Sequence, residues 1–168
     1  MRELQQAGDD PWFLLKALSE AAGEVRRAFM GLDREALLRT GEGFDDAWCL
    51  LAIAVHLRDI EREMLGQFEA MLAFRDPAIP HVDMDTPPLH EGYLGEDEEE
   101  VLAEFHHLRQ ETSYLLWDIS RREWERGGIH PYRGRITVLD LARDLYRHDL
   151  EHLWQVRRMA DGLAKGRS

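Results

Sequence analysis

Residues 137–162 read TVLDLARDLYRHDLEHLWQVRRMADG, and their spacing is that of one long amphipathic helix. Thr137, with Asp140 three positions on, forms a capping-box-like start. Leu141, Leu145, His148, His152, Gln155 and Met159 then recur at steps of three and four, so they share one stripe. The two histidines stand on the same face as the leucines and point inward. An i, i+4 pair sets both imidazoles side by side, about 6 Å apart at Cβ and able to grip one metal ion. Two inward histidines need partners, because unpaired buried polar groups are costly.

Working outward, three further long helices are legible. Asp10-Pro11 supplies an N-cap and a proline at the first helical position, followed by Phe13, Ala17, Ala21, Val25, Ala28 and Phe29 to about Met30. A short helical piece over Asp33–Arg39 closes at Gly41 and Gly43. The second long helix carries Trp48, Leu51, Val55, Ile60, Met64, Phe68 and Met71 to about Phe74, and Asp45 or Asp46 is expected to cap it. Pro77, Pro80, Pro87 and Pro88, with Gly92 and Gly95, then break the pattern. The acids Glu96–Glu100 open a third helix, where negative charge suits the positive end of the helix dipole. Its expected buried stripe is Val101, Phe105, Leu108, Thr112, Leu115 and Ile119. Residues 126–136, with Gly127, Gly128 and Pro131, read as a second irregular stretch, and no alternating strand pattern rivals the helices. The expectation is an all-α four-helix bundle. A helix of about 28 residues is roughly 40 Å long. The 75–95 segment, at ~3.3 Å per residue, can return along that length, so the second and third helices run parallel beneath a long overhand loop.

The composition narrows the class. The chain has 168 residues, the length of one domain, taken as 1–168, and it needs no disulfide or metal merely to fold. Its 21 Lys and Arg against 33 Asp and Glu leave a net charge of −12, which argues against a nucleic-acid partner. The single cysteine, Cys49, excludes an intramolecular disulfide and fits a reducing compartment. The longest apolar run, Trp48–Val55, is far short of the ~20 residues that span a bilayer, so no membrane is expected. The first ten residues carry no apolar signal region, and a cytoplasmic location is expected.

A third imidazole interrupts the apolar run of the second helix at His56. Three neutral imidazoles from two helices would form a site for Zn²⁺, Ni²⁺ or Fe²⁺ with positions open to water or substrate. The remaining histidines carry less. His106 and His107 lie beside the core stripe of the third helix, and His81, His90 and His130 fall in loops, where His130-Pro131-Tyr132 could line a pocket mouth. Glu104-x-x-His107 matches half of a di-iron signature, but the nearest second copy, Asp149-x-x-His152, changes the acid. Neither a His-Glu-x-x-His motif nor a Gly-rich phosphate loop is present in the sequence.

With these residues in hand, the chain resembles the DinB-like (DinB/YfiT) superfamily of metal-binding four-helix-bundle proteins over nearly its whole length. The likeness rests on Trp48…Ala54-Val-His56-Leu-Arg-Asp59, on His148-Asp149-x-x-His152-Leu-x-Gln155-x-Arg157-Arg158, and on Arg122-Glu123-Trp124 followed by His130-Pro131 and Gly134-x-Ile-Thr137. It implies an up-down-down-up bundle and a metal-binding triad at His56, His148 and His152. Such proteins often carry Ser or Thr as N-cap directly after the tryptophan. Here Cys49 follows Trp48, so the helix is expected to begin a turn earlier, at the acids 45 and 46.

The resemblance further implies metal-dependent chemistry on a small-molecule substrate. The leading expectation is a thiol S-transferase working in detoxification or stress response, with a low-molecular-weight thiol as co-substrate and the metal favouring its thiolate. The alternatives are a hydrolase using metal-bound hydroxide and a non-catalytic bundle with a structural metal. Asp59 and Asp144, each a turn from a triad histidine, are candidate orienters or bases, and Cys49 is expected to be a buried spectator. A homodimer is expected by family analogy.

Overall fold

The computed structural model describes residues 10–40, 48–88 and 91–165. The helices are α1 (Pro11–Phe29), α2 (Arg34–Leu38), α3 (Leu50–Ala73), α4 (Glu98–Trp117) and α5 (Val138–Lys165). A two-stranded antiparallel sheet, β1 (Gly127–His130) and β2 (Gly134–Thr137), stands just before α5.

Local chemistry explains each helix start. The Asp10 carboxylate accepts from the Trp12 N–H, and Pro11 occupies the first turn, where no N–H is missed. Asp97 accepts from the N–H groups of Glu99 and Glu100 at the head of α4. At α5 the capping box closes reciprocally: Thr137 N donates to Asp140 Oδ2 at 3.0 Å, and Asp140 N donates to Thr137 Oγ1 at 3.1 Å. The expected early start of α3 is corrected. The helix begins at Leu50, and Cys49 is its N-cap, with Sγ accepting from Ala52 N at 3.4 Å. The sulfur fills the place of a serine oxygen, so no extra turn is needed; the acids at 45 and 46, like Gly41, Gly43 and His90, lie outside the described residues.

The packing gives the direction of each helix. One core cluster joins Val25 and Phe29 near the end of α1, Leu50–Ala54 at the start of α3, Val101 and Phe105 at the start of α4, and Val156 and Met159 late in α5. The other joins Leu14 and Leu18 early in α1, Phe68 and Met71 late in α3, Leu116 late in α4, and Val138 and Leu141 early in α5. The four long helices therefore run up, down, down and up, with α3 parallel to α4 as the overhand reading required.

Two expectations change. The buried face of α4 is Val101, Phe105, Arg109, Thr112 and Leu116, turned by one position from the predicted stripe at Leu108 and Leu115. The cause is Arg109, a charged residue that the core accepts, as described below. The stretch 126–136 is a hairpin rather than irregular chain. Its strands are only four residues long, too short for alternation to register, and Gly134 turns at φ +71°. The hairpin also pins the crossover: Ile79 N donates to Ile129 O at 3.1 Å and Ile129 N to Pro77 O at 2.7 Å. A Cβ on Gly128 would lie 2.9 Å from the Ile79 side chain, so this close approach requires glycine. No helix among the described residues is long and apolar enough to cross a membrane.

Candidate metal centre

Two turns into α3, His56 faces His148 and His152 of α5, and all three are buried. One ring nitrogen from each lies within 4.8 Å of the others. His56 Nε2 and His148 Nε2 approach to 2.9 Å, and the ring centroids of His148 and His152 are 4.5 Å apart. His152 Nδ1 donates to Gln155 Oε1 at 2.9 Å, which fixes the tautomer and leaves its Nε2 lone pair for a metal. Trp48 walls the cluster, its ring 5.2 Å from His56 and 5.3 Å from His152.

Electrostatics keep the rings uncharged. Burial, reinforced by its neighbour His152, lowers the His56 pKa to about 4. Burial lowers that of His148 to about 2, with His152 and His56 adding to the effect. His152 is lowered as well, chiefly by burial. Neutral imidazole is the form that ligates. Two Nε2 atoms at 2.9 Å cannot both present lone pairs without a cation or a proton between them, so the donor set fits a borderline divalent transition metal. The overhand crossover reaches the same point, where the Met84 carbonyl oxygen lies 3.1 Å from His56 Nε2. Sequence reading did not single out Met84, since a backbone carbonyl leaves no signature in residue type.

Of the three histidines, His152 reaches an opening to solvent. A cleft of about 640 Å³ is lined by His152, Trp48, Met84, Trp154, Arg147 and Arg158, among others. Trp154 is exposed, and the Arg158 guanidinium stacks over its ring at 4.5 Å.

The other predicted residues fall as follows. Asp59 is held by Arg58 at 2.9 Å and Arg62 at 3.2 Å, and its charge acts on His56 from a distance. Asp144 pairs with Arg133 and, at 2.7 Å, with Arg147 at the cleft. His130 does not line the cleft mouth; it is buried in the hairpin, its Nδ1 accepting from the backbone of Tyr132 and Arg133 at 3.2 Å, with His81 at 3.4 Å. His107 is exposed beside Glu111, and His106 is half-buried. The di-iron pattern is not assembled, because Glu104 pairs with Arg62 and Asp149 with Arg109.

Fold and site together define a class: four-helix bundles with an overhand crossover and a buried histidine triad shared by two helices. The chain belongs to the DinB superfamily, whose family model matches residues 4–156. Among solved structures it is similar to YfiT from Bacillus subtilis, described as a probable metal-dependent hydrolase with an unusual four-helix bundle topology. That likeness has a TM-score of 0.73 at 20% identity and covers 89% of this chain and 87% of the other. No curated protein matches.

Proposed function

We propose that the chain is a metal-dependent enzyme that joins a low-molecular-weight thiol to a small electrophile. The observation that carries this reading is the cleft at the triad, because a metal held only for stability needs no opening to solvent. His56, His148 and His152 would hold one divalent ion, zinc first, with nickel or iron also suited to imidazole. When bound, the ion supplies Lewis acidity that lowers the pKa of a coordinating thiol or water.

The chain's own residues do the rest. Burial keeps the three rings in the neutral form, and Gln155 holds His152 in register. Trp48 and Trp154 give flat apolar walls to an electrophile. Arg147 and Arg158 line the cleft beside Asp85 and Glu151, two cations with two acids, and their guanidinium groups are the donors that the carboxylates of a thiol co-substrate would use. Asp144 positions Arg147, and Asp59 favours a positive charge near His56. The fold likeness to YfiT supports a second reading, hydrolysis of a small substrate at the same triad.

Protein purified without a histidine tag should contain about one equivalent of metal, lost in His56→Ala. Conjugation of 1-chloro-2,4-dinitrobenzene to a panel of small thiols should require that metal. Ester or amide cleavage without conjugation would give the site to the hydrolase. Silence in every assay, with metal removal lowering the melting temperature, would leave only a structural metal.

A further inference from the structure

A second cleft, about 930 Å³, runs between α1 and α4 and contains none of the triad residues. At one end Trp12 and Trp117 meet edge to face with ring centroids 5.1 Å apart, and Tyr114 stands beside them. These three aromatics are 56%, 64% and 75% exposed, a large apolar surface left in water. The other end is polar, lined by Arg109 and His106. Among the described residues, three buried side-chain atoms lack a hydrogen-bond partner, and two of them, Arg109 Nε and His106 Nδ1, belong to this end. Unsatisfied buried groups are rare and call for an explanation.

Both are donors. The Gln110 amide nitrogen lies 3.5 Å from His106 Nε2 and can only donate, so that ring nitrogen accepts and the proton sits on Nδ1. Positions 106 and 109 are neighbours on one helix face, about 5–6 Å apart at Cβ. The polar end of the groove therefore offers two unpartnered donors to an acceptor oxygen. The charge nearby selects its kind. Arg109 already faces Glu61 and Asp149, two carboxylates to one guanidinium, so a further anion is repelled while a carbonyl is not. Lys16 and Glu20 at the rim pair at 3.7 Å and add no net charge. From Trp12 to Ala22 the groove follows ten residues of helix, about 15 Å, room for two or three fused rings.

We propose that the groove between α1 and α4 binds a flat, uncharged aromatic carbonyl compound, its rings against Trp12 and Trp117 and its oxygen accepting from His106 and Arg109. The site is separate from the triad and independent of the thiol-transfer reading.

Three probes that share one ring system test it by titration calorimetry on the full chain: 2-acetylnaphthalene, 2-ethylnaphthalene and 2-naphthoate. The ketone should bind about tenfold more tightly than the hydrocarbon, and the carboxylate more weakly than the ketone. Trp117→Ala should abolish binding, His106→Ala should weaken the ketone several-fold while leaving the hydrocarbon unchanged, and Trp154→Ala at the triad cleft should change nothing. Arg109 is avoided because its loss threatens the fold. Equal affinity for all three probes, or an unchanged Trp117→Ala, would overturn the proposal. So would a dimer in sedimentation that Trp117→Ala dissociates, since a second copy would then be the occupant.

Discussion

His148 is held in a neutral state that water would not favour at mildly acidic pH, and this has a measurable consequence. A histidine whose folded pKa is depressed is uncharged when folded, whereas the unfolded chain binds its proton from about pH 6.5 downward. His56 and His148, with pKa values of about 4 and about 2, and the lowered His152 each contribute stability that is present above pH 6.5 and lost as the pH falls towards the folded values. Asp149 acts in the opposite sense. Burial raises its pKa to about 6, against the pull of Arg109, so the folded state carries a proton that the unfolded state lacks near pH 5. Near pH 5, His56 and His148 together take up about two protons on unfolding and Asp149 releases about one, a net uptake of about one to which the lowered His152 adds in the same direction. The metal-free protein should then lose stability on acidification by at least about 1.4 kcal/mol per pH unit near pH 5. Denaturant titrations between pH 7 and 4.5 would measure this, and a flat or rising stability on acidification would contradict the neutral triad.

At the scale of elements, the ends of helices were readable where a residue type does one job. Asp10 caps α1 and Thr137 with Asp140 forms the box that their spacing announced, while Asp33 and Asp97, read only as places where a helix opens, are caps as well. The triad was equally legible, since His148 and His152 share a face and His56 interrupts an apolar run. Two features were not. The hairpin depends on register with the crossover, a long-range contact between Ile79 and Ile129 that no local pattern carries. The face of α4 was misread because Arg109 counts as polar by type, while three other helices supply its partners. Cys49 lies between these cases: an apolar residue by habit, it is a cap by geometry, and it also hydrogen-bonds Tyr93. Sulfur is a weak acceptor, and a hydroxyl fills the same role. Cys49→Ser should therefore hold the melting temperature close to that of the parent, whereas Cys49→Ala should cost about 1 kcal/mol. Thermal unfolding of the two variants side by side distinguishes a cap from a spectator, for which alanine and serine would rank the other way.

The whole molecule converges on one guanidinium. Arg109 of α4 donates from Nη1 to the Leu18 carbonyl of α1 at 2.8 Å and to Asp149 Oδ2 of α5 at 2.7 Å, and from Nη2 to Glu61 Oε2 of α3 at 2.6 Å. A single buried side chain thus ties all four long helices, and Thr112 completes the cluster with its hydroxyl 2.6 Å from Glu61 Oε1. The cluster lies between the two apolar cores, with Asp149 next in sequence to His148, so it sets the register of α5 against α3 where the triad must meet. Breaking such a cluster costs more than its net worth, because the partners remain buried and unpaired. Arg109→Met should lose about 3–5 kcal/mol by leaving Glu61 and Asp149 without their cation. If that loss comes from stranded charge, the triple variant Arg109→Met, Glu61→Leu, Asp149→Leu should recover most of it in denaturant titrations. The two variants would then separate stability from alignment. A triple variant that is stable yet binds metal more weakly than the parent assigns the cluster to positioning the helices. One that binds metal equally well leaves it only the work of satisfying its own charges.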